Sequence, residues 1–406
     1  MKHDAASVDR NGLYVDVVDT WAGFRALKPA WERLLAQDSE STVFLSWDWL
    51  ARAFRDNAFR WSVLVVREAE DAQEVMCILP LKYRVHWSRS REEFHTEIEA
   101  GGRLLWSEYT GFLCHPSFEA QGLEAVAVKL AQLPWTRLSM RYVAQERRAK
   151  MFVDAMERRG CVGAFREYRI NNGETDNLVC PQVSLPDDFE TYLNEQVSAN
   201  RRQKWYRFQR QRIGSGQVRF EVADAHSAEA DITALLDLWM GRWEEEKGTA
   251  SALKAAGNYG DVLMAAQAQG DLYLPLLRSE DRTLGALGHV VDRARGRVHF
   301  IIAGRDVAAR DPFIGAALHF HSIKWAIENG MTLYDFCHGN EAYKYSFGAE
   351  DREVQYFVLR RKRYNPHLAF DSIGTGEALR RVEGFLKDGK TERAAQGCAQ
   401  LARLLS

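Results

Sequence analysis

The run from Arg297 to Phe347 constrains this chain more than any other stretch. It opens with a short apolar segment, Val298 to Ala303. It continues through RDPFIGAALHFHSIKWAIENG into a second short segment, Leu333 to Phe336. Asp311-Pro312 reads as a helix start, an N-cap residue followed by proline at the first helical position. Gly330 reads as its left-handed stop. Between them Phe313, Ala316, Ala317, Phe320, Ile323 and Ile327 recur at three- and four-residue steps, so the helix has one buried face. Strand, helix and strand within about 40 residues predict a right-handed βαβ unit. In such units ligand sites form at the carboxyl ends of the strands and the start of the helix.

A chain of 406 residues exceeds what one hydrophobic core usually organises, so two domains are expected. Periodicity breaks across residues 170–186, at NNGETDN and at Pro181 and Pro186. The expected division is therefore 1–175, 176–365 and a helical tail over 366–406. In the first part, 13–18, 61–67, 74–84 and 136–143 read as strands. Segments 21–37, 44–54, 119–132 and 145–159 read as helices. The charged segment 88–100 shows no period and reads as a surface loop. In the second part 187–213 reads as one long helix, 228–247 as another, and 353–361 as the last strand. The fold class expected is α/β, two domains that each carry a mixed, twisted sheet flanked by helices.

Composition narrows the function. With 46% hydrophobic residues and a net charge of -2, the chain has no global attraction to nucleic acid or membrane, so any electrostatic site is local. No segment reaches the roughly 20 apolar residues of a membrane span, and MKHDAASVDRNG lacks the apolar core of a secretion signal. Cys77, Cys114, Cys161, Cys180, Cys337 and Cys398 show no C-x-x-C spacing, which predicts reduced thiols in a cytoplasm and no metal centre.

Four places carry candidate chemistry. The helix start brings backbone N–H groups of Phe313, Ile314 and Gly315 near Arg305 and Arg310, a combination suited to phosphate. An ionised Asp311 at that cap opposes it. YDFCHGNEAYKYSFG puts Asp335 at a strand end, His338 in a loop, and Glu341, Tyr343 and Lys344 within a turn or two of one another if Asn340 caps a short helix ended by Gly348. Gly285, Gly288 and His289 fall inside a strand, where glycines mark a bulge or a close backbone approach. Finally, ANRRQKWYRFQRQR (199–212) interleaves cations with aromatics, as in surfaces that hold a nucleic-acid backbone or a phosphorylated donor.

Together these segments resemble the GNAT acyltransferase superfamily, in the branch with two fused GNAT-like domains. That branch includes the CelD-like acetyltransferases and the FemAB-like peptidyltransferases. The resemblance rests on FLSWDWLARAF and SEYTGFLCHP in the first half. In the second it rests on the basic segment, LWMGRW, GALGHVV and above all YDFCHGNEAYKYSFGA. It implies N-acyl transfer by direct attack of an amine on a thioester, with no permanently bound cofactor. The co-substrate would be acyl-CoA or an acyl carrier protein, and the acceptor a small-molecule, sugar or peptide amine. An aminoacyl-tRNA donor is the alternative within the fold, and a non-catalytic role in surface-polymer assembly the alternative outside it. By resemblance Asp335, Phe336, Gly339, Glu341, Tyr343 and Lys344 line the site. Our own reading of the cluster expects Asp335, His338 or Glu341, directly or through water, as proton acceptor and Tyr343 or Lys344 as donor. Gly288, His289, Arg305, Arg310, Phe313 and Gly315 would hold the donor, and Trp239, Arg242 and Trp243 the acceptor. The chain departs from the family at Trp239, where a histidine is usual, and at Asp311-Pro312-Phe313, where Ser-Pro-Gly is usual.

Overall fold

The structure, a computed structural model, describes residues 7–8, 12–70, 72–280 and 282–405. The N-terminal stretch inspected for a secretion signal falls largely outside them. Two compact units form, residues 1–167 with 354–406, and residues 168–353. The first unit is therefore discontinuous. Gln355–Arg361, expected as the last strand of the second part, pairs with Arg137–Val143 and Cys161–Phe165 in the first unit's sheet. Only Glu350–Glu353 joins the second sheet. The tail follows the strand: Thr375–Lys387 and Thr391–Leu405 pack Ala378, Val382, Ala394 and Leu401 on Val85, Trp87, Phe94 and Phe370. Gln400 completes the seam, its amide accepting from Phe94 N at 2.6 Å and donating to Phe94 O at 2.9 Å.

The segment 88–100 is not a loop. Glu93–Ala100 is a strand paired along Cys77–Ser88. Phe94, Thr96, Ile98 and Ala100 are buried, while Glu93, His95, Glu97 and Glu99 face outward. The alternation was present, but a short apolar face under four polar residues has little hydrophobic contrast.

The second unit holds the βαβ motif. The strands along its sheet's path are β1 (Val179–Ser184), β2 (Arg219–Val222), β3 (Pro275–Ser279), β4 (Arg282–Asp292), β5 (Arg297–Arg305), β6 (Leu333–Asp335) and β7 (Glu350–Glu353), and the short strand Leu272–Tyr273 pairs with β4 off that path. Its helices are α1 (Phe189–Gln196), α2 (Ala199–Phe208), α3 (Ala228–Lys247), α4 (Thr249–Gln269), α5 (Ile314–Glu328) and the single turn α6 (Ala342–Tyr345). Among the described residues the sheet runs β2-β3-β4-β5-β6-β1-β7, and only β5 and β6 are parallel. The long helix expected over 187–213 breaks at Val197, where Ser198 is non-helical, and closes in a π-turn over Gln209–Ile213. Helix α5 starts at Ile314, two residues later than expected. Asp311 Oδ1 accepts from Phe313 N at 2.9 Å, so that N–H is already bonded.

Gly288 sits at a register shift, because Gly288 pairs with Ile302 while His289 pairs with Phe300, leaving Ile301 as the extra residue of a bulge on β5. The bulge expected from sequence is there, but its glycine serves packing. A Cβ at Gly288 would meet Leu263 at 2.8 Å and Leu235 at 3.2 Å, so α3 and α4 cover the face offered to a ligand. Gly304 is tighter still, its added Cβ lying 2.6 Å from the Leu235 carbonyl oxygen. Gly304→Ala is therefore expected to lower the unfolding free energy by about 1–3 kcal/mol, measured by denaturant titration, since a backbone atom cannot swing aside.

Candidate active site

β5 and β6 share three rungs, Arg297↔Leu333, Val298↔Tyr334 and His299↔Asp335. Beyond them β5 continues through residues 300–305, paired on its other edge with β4, while β6 stops. The chain after β6 turns toward β1, with Phe336 N donating to Pro181 O at 2.9 Å and Gly339 N to Val179 O at 2.8 Å. The two strands thus part like a V whose vertex is the His299–Asp335 rung. One edge of β5 past that vertex lies without a strand partner among the described residues, a template for an extended ligand arm.

Asp335 makes the vertex rigid. Its Oδ2 accepts from Gln182 Nε2 at 3.1 Å and lies 3.1 Å from His299 Nδ1, and its Oδ1 accepts from Cys337 N at 2.8 Å. Asp335 and His299 are each 1% exposed. Cys337, held by that bond, takes a left-handed φ of 52°, a costly conformation for a residue with a Cβ. A ring nitrogen of His299, an Asp335 oxygen and Cys337 Sγ lie within 4.8 Å of one another. As both Asp335 oxygens already accept hydrogen bonds, we read the group as a hydrogen-bonded corner.

The loop after the vertex is clamped from inside. Lys344 is 2% exposed, and its Nζ donates to His338 O at 2.7 Å and to Gly339 O at 2.8 Å, with Glu341 Oε2 at 3.0 Å. Its ammonium is thus met by three oxygens. Gly339 must be glycine, with φ at 98° and the space of its Cβ taken by the Glu341 carboxylate at 2.6 Å. Asn340 does not cap the short helix. Its Oδ1 accepts from Asp176 N at 2.8 Å, and Glu341 precedes α6. His338 Nδ1 lies 3.3 Å from Cys180 Sγ, and Tyr343 stays 43% exposed above the cleft.

The residues expected to hold the donor separate into two groups. His289 is fully buried, with Nδ1 3.1 Å from the Tyr273 carbonyl and Nε2 2.9 Å from Tyr334 Oη. Burial pushes its pKa down to about 3, so it is a neutral core histidine. At the other end of β5, Arg305 closes the strand and Arg310 lies in the connection to α5, near whose start a Cβ on Gly315 would meet nothing within 4 Å. Phe313 packs inward, its ring 5.6 Å from Phe208 of α2. That contact carries the basic segment alongside the helix start, and Arg212 pairs with Asp311 at 3.4 Å. The acid expected to repel an anion is thereby compensated. Of the residues expected to hold the acceptor, Trp239 is 7% exposed, its ring 5.6 Å from Tyr259, while Arg242 stands outside over Trp243. Gln182, His299 and His319 were missed by sequence reasoning. Gln182 comes from a strand remote in sequence and has no local signature, whereas His319 interrupts the apolar stripe of α5 and could have been noticed there.

Residues 199–345 match the family model described as the acetyltransferase (GNAT) domain. This stretch is similar to that acetyltransferase domain, and the chain is an acyltransferase. The solved structure of FemX superposes with a TM-score of 0.57 at 12% identity, covering 81% of this chain and 95% of that one, which shows a shared fold. A tandem GNAT protein from the clavulanic acid biosynthesis pathway aligns with a TM-score of 0.45 at 12% identity, over 86% and 99% of the two chains. L-PGS from Bacillus licheniformis aligns with a TM-score of 0.42 at 12% identity, over 71% and 82%. No curated protein sequence matches the chain. Among the described residues no helix is long and apolar enough to cross a membrane.

Proposed function

We propose that the second unit transfers an acyl group from a thioester donor, acyl-CoA or a loaded acyl carrier protein, to an amine by direct attack. The observation that carries this is the parting of β5 and β6 with an open, cation-flanked helix start at the far end of β5. An extended pantetheine arm would lie along residues 300–305 as an added strand. Its phosphates would rest on the first-turn N–H groups of α5 beside Arg305 and Arg310. The thioester carbonyl would then reach the loop that carries His338, Glu341 and Tyr343. Of the groups expected to move protons, Asp335 and Lys344 hold the scaffold, whereas His338 and Glu341 border the cleft as acceptors and exposed Tyr343 is placed to protonate the leaving thiolate. The acceptor would enter over α3, near Arg242 and Trp243.

A thermal-shift screen tests this with coenzyme A, acetyl-CoA, loaded acyl carrier protein and aminoacyl-tRNA. Stabilisation by coenzyme A is expected, with Arg310→Glu weakening it about tenfold through loss of a charge-assisted phosphate contact. No shift with either CoA species or the carrier protein would sink the proposal. The aminoacyl-tRNA reading has one observation in its favour. Lys204, Arg207 and Arg210 are exposed along α2 and the following turn, beside the helix start. It requires binding that weakens steeply with salt.

A further inference from the structure

His319 of α5 is a buried group that the chemistry above leaves unused. Its ring lies 4.8 Å from Phe300 and 5.0 Å from Phe336, the first residues past the vertex on the two arms of the V. The ring of Tyr343 is 5.9 Å away. His319 therefore forms the floor of the cleft on the α5 side, 3% exposed.

Its protonation pattern follows from its neighbours. The Tyr273 carbonyl can only accept, so His289 Nδ1 carries the proton of that 3.1 Å bond and His289 Nε2 is a bare acceptor. Tyr334 Oη, 2.9 Å away, must then donate to His289 Nε2. Having used its one proton, Tyr334 Oη accepts from His319 Nδ1 at 2.9 Å. The chain of three bonds leaves His319 Nε2 as a lone pair, and that atom has no hydrogen-bond partner among the described residues. The charged groups around it are Lys344 from the loop and Arg201 from α2. Together with burial they push its pKa well down and keep the ring neutral.

We propose that His319 Nε2 is a donor-contact atom, accepting a hydrogen bond from an amide N–H of the pantetheine arm. This rests on the donor site proposed above. The arm is made of methylene segments interrupted by secondary amides. Phe300, Phe336 and Tyr343 suit the methylenes, and a neutral buried acceptor suits one amide N–H. A lone pair left unmatched when ligand closes the cleft would carry a desolvation cost, so the site discriminates for an N–H at that level.

The test compares two variants and two ligands by calorimetry. His319→Leu keeps the volume and loses the acceptor, while His319→Gln offers Oε1 in its place. Coenzyme A should bind His319→Leu about tenfold more weakly than wild type and His319→Gln within about threefold. 3′-Phospho-ADP, the nucleotide half without the arm, should bind all three proteins alike. Unchanged coenzyme A affinity in His319→Leu overturns the assignment, as does equal weakening of both ligands. Nitrogen-15 spectra of histidine-labelled protein test the lone pair without any ligand, and a protonated Nε2 at His319 also overturns it. If wild type binds 3′-phospho-ADP and coenzyme A equally well, the donor site stands and the arm contact falls. If it binds neither, both fall.

Discussion

Between pH 7 and pH 5 the buried rings of His289 and His319 are expected to cost the second unit about 4 kcal/mol of unfolding free energy. Half-buried His321, its pKa lowered to about 4 chiefly by burial, adds about 2 kcal/mol. His289 and His319 are both buried and both held neutral, the first pushed down to about 3 and the second well below its ordinary value, in each case chiefly by burial. Unfolding returns each ring to water and to an ordinary pKa near 6.5. Below that value the unfolded state binds protons that the folded state excludes, so stability falls as pH falls. The contribution is complete above about pH 7 and is lost downward through 6.5, toward the folded values. Integrated from pH 7 to pH 5, each ring accounts for about 2 kcal/mol. Hydrogen exchange of the α5 amides, corrected for intrinsic rates, reads this for the second unit alone. His289→Gln can satisfy both the Tyr273 carbonyl and the Tyr334 hydroxyl, and it should remove about 2 kcal/mol, a third of the loss. The same loss in that variant, or none in wild type, would show that the two rings do not govern the acid response.

Those two histidines also show where the sequence was legible and where it was not. The βαβ unit, the glycine bulge and the compactness of the Asp335–Gly348 segment follow from local rules of period, capping and turn chemistry, and the structure has them. His289 was placed on the right strand but on the wrong side of function. A histidine next to a glycine looks the same whether it faces a ligand or a core, and only the positions of Tyr273 and Tyr334 decide. Gln182 and His299 were invisible for a related reason: they matter through Asp335, which they meet across strand pairs that no short window contains. The domain division missed because Gln355–Arg361 is an apolar strand that could close either sheet, and its pairing is decided by packing in the first unit. Asp311 looked adverse to an anion until Arg212, about a hundred residues earlier, was found beside it.

Lys344 carries the other large expected effect, because a residue expected as a proton donor is buried with its ammonium against the loop's own oxygens. Its Nζ, 2% exposed, satisfies the carbonyls of His338 and Gly339 and faces Glu341. Lys344→Met keeps the length and apolar stem but leaves those oxygens without a cation in a buried place. The cost expected is about 3–5 kcal/mol, concentrated in the loop. Amides of residues 339–346 should lose hydrogen-exchange protection, and coenzyme A binding should fall with them, because the same loop closes one arm of the V. Glu341→Gln provides the contrast. Its side chain is partly exposed, and the buried Oε2 that faces Lys344 falls short of hydrogen-bond geometry, so a smaller effect than for Lys344→Met, about 1 kcal/mol, is expected. A residue that acted only in proton transfer would behave differently: Lys344→Met would leave loop protection and donor affinity as in wild type and slow turnover alone. Intact protection in Lys344→Met would therefore return the lysine to the chemistry and leave the loop to be held by its remaining bonds, Asn340 to Asp176 and Gly339 to Val179.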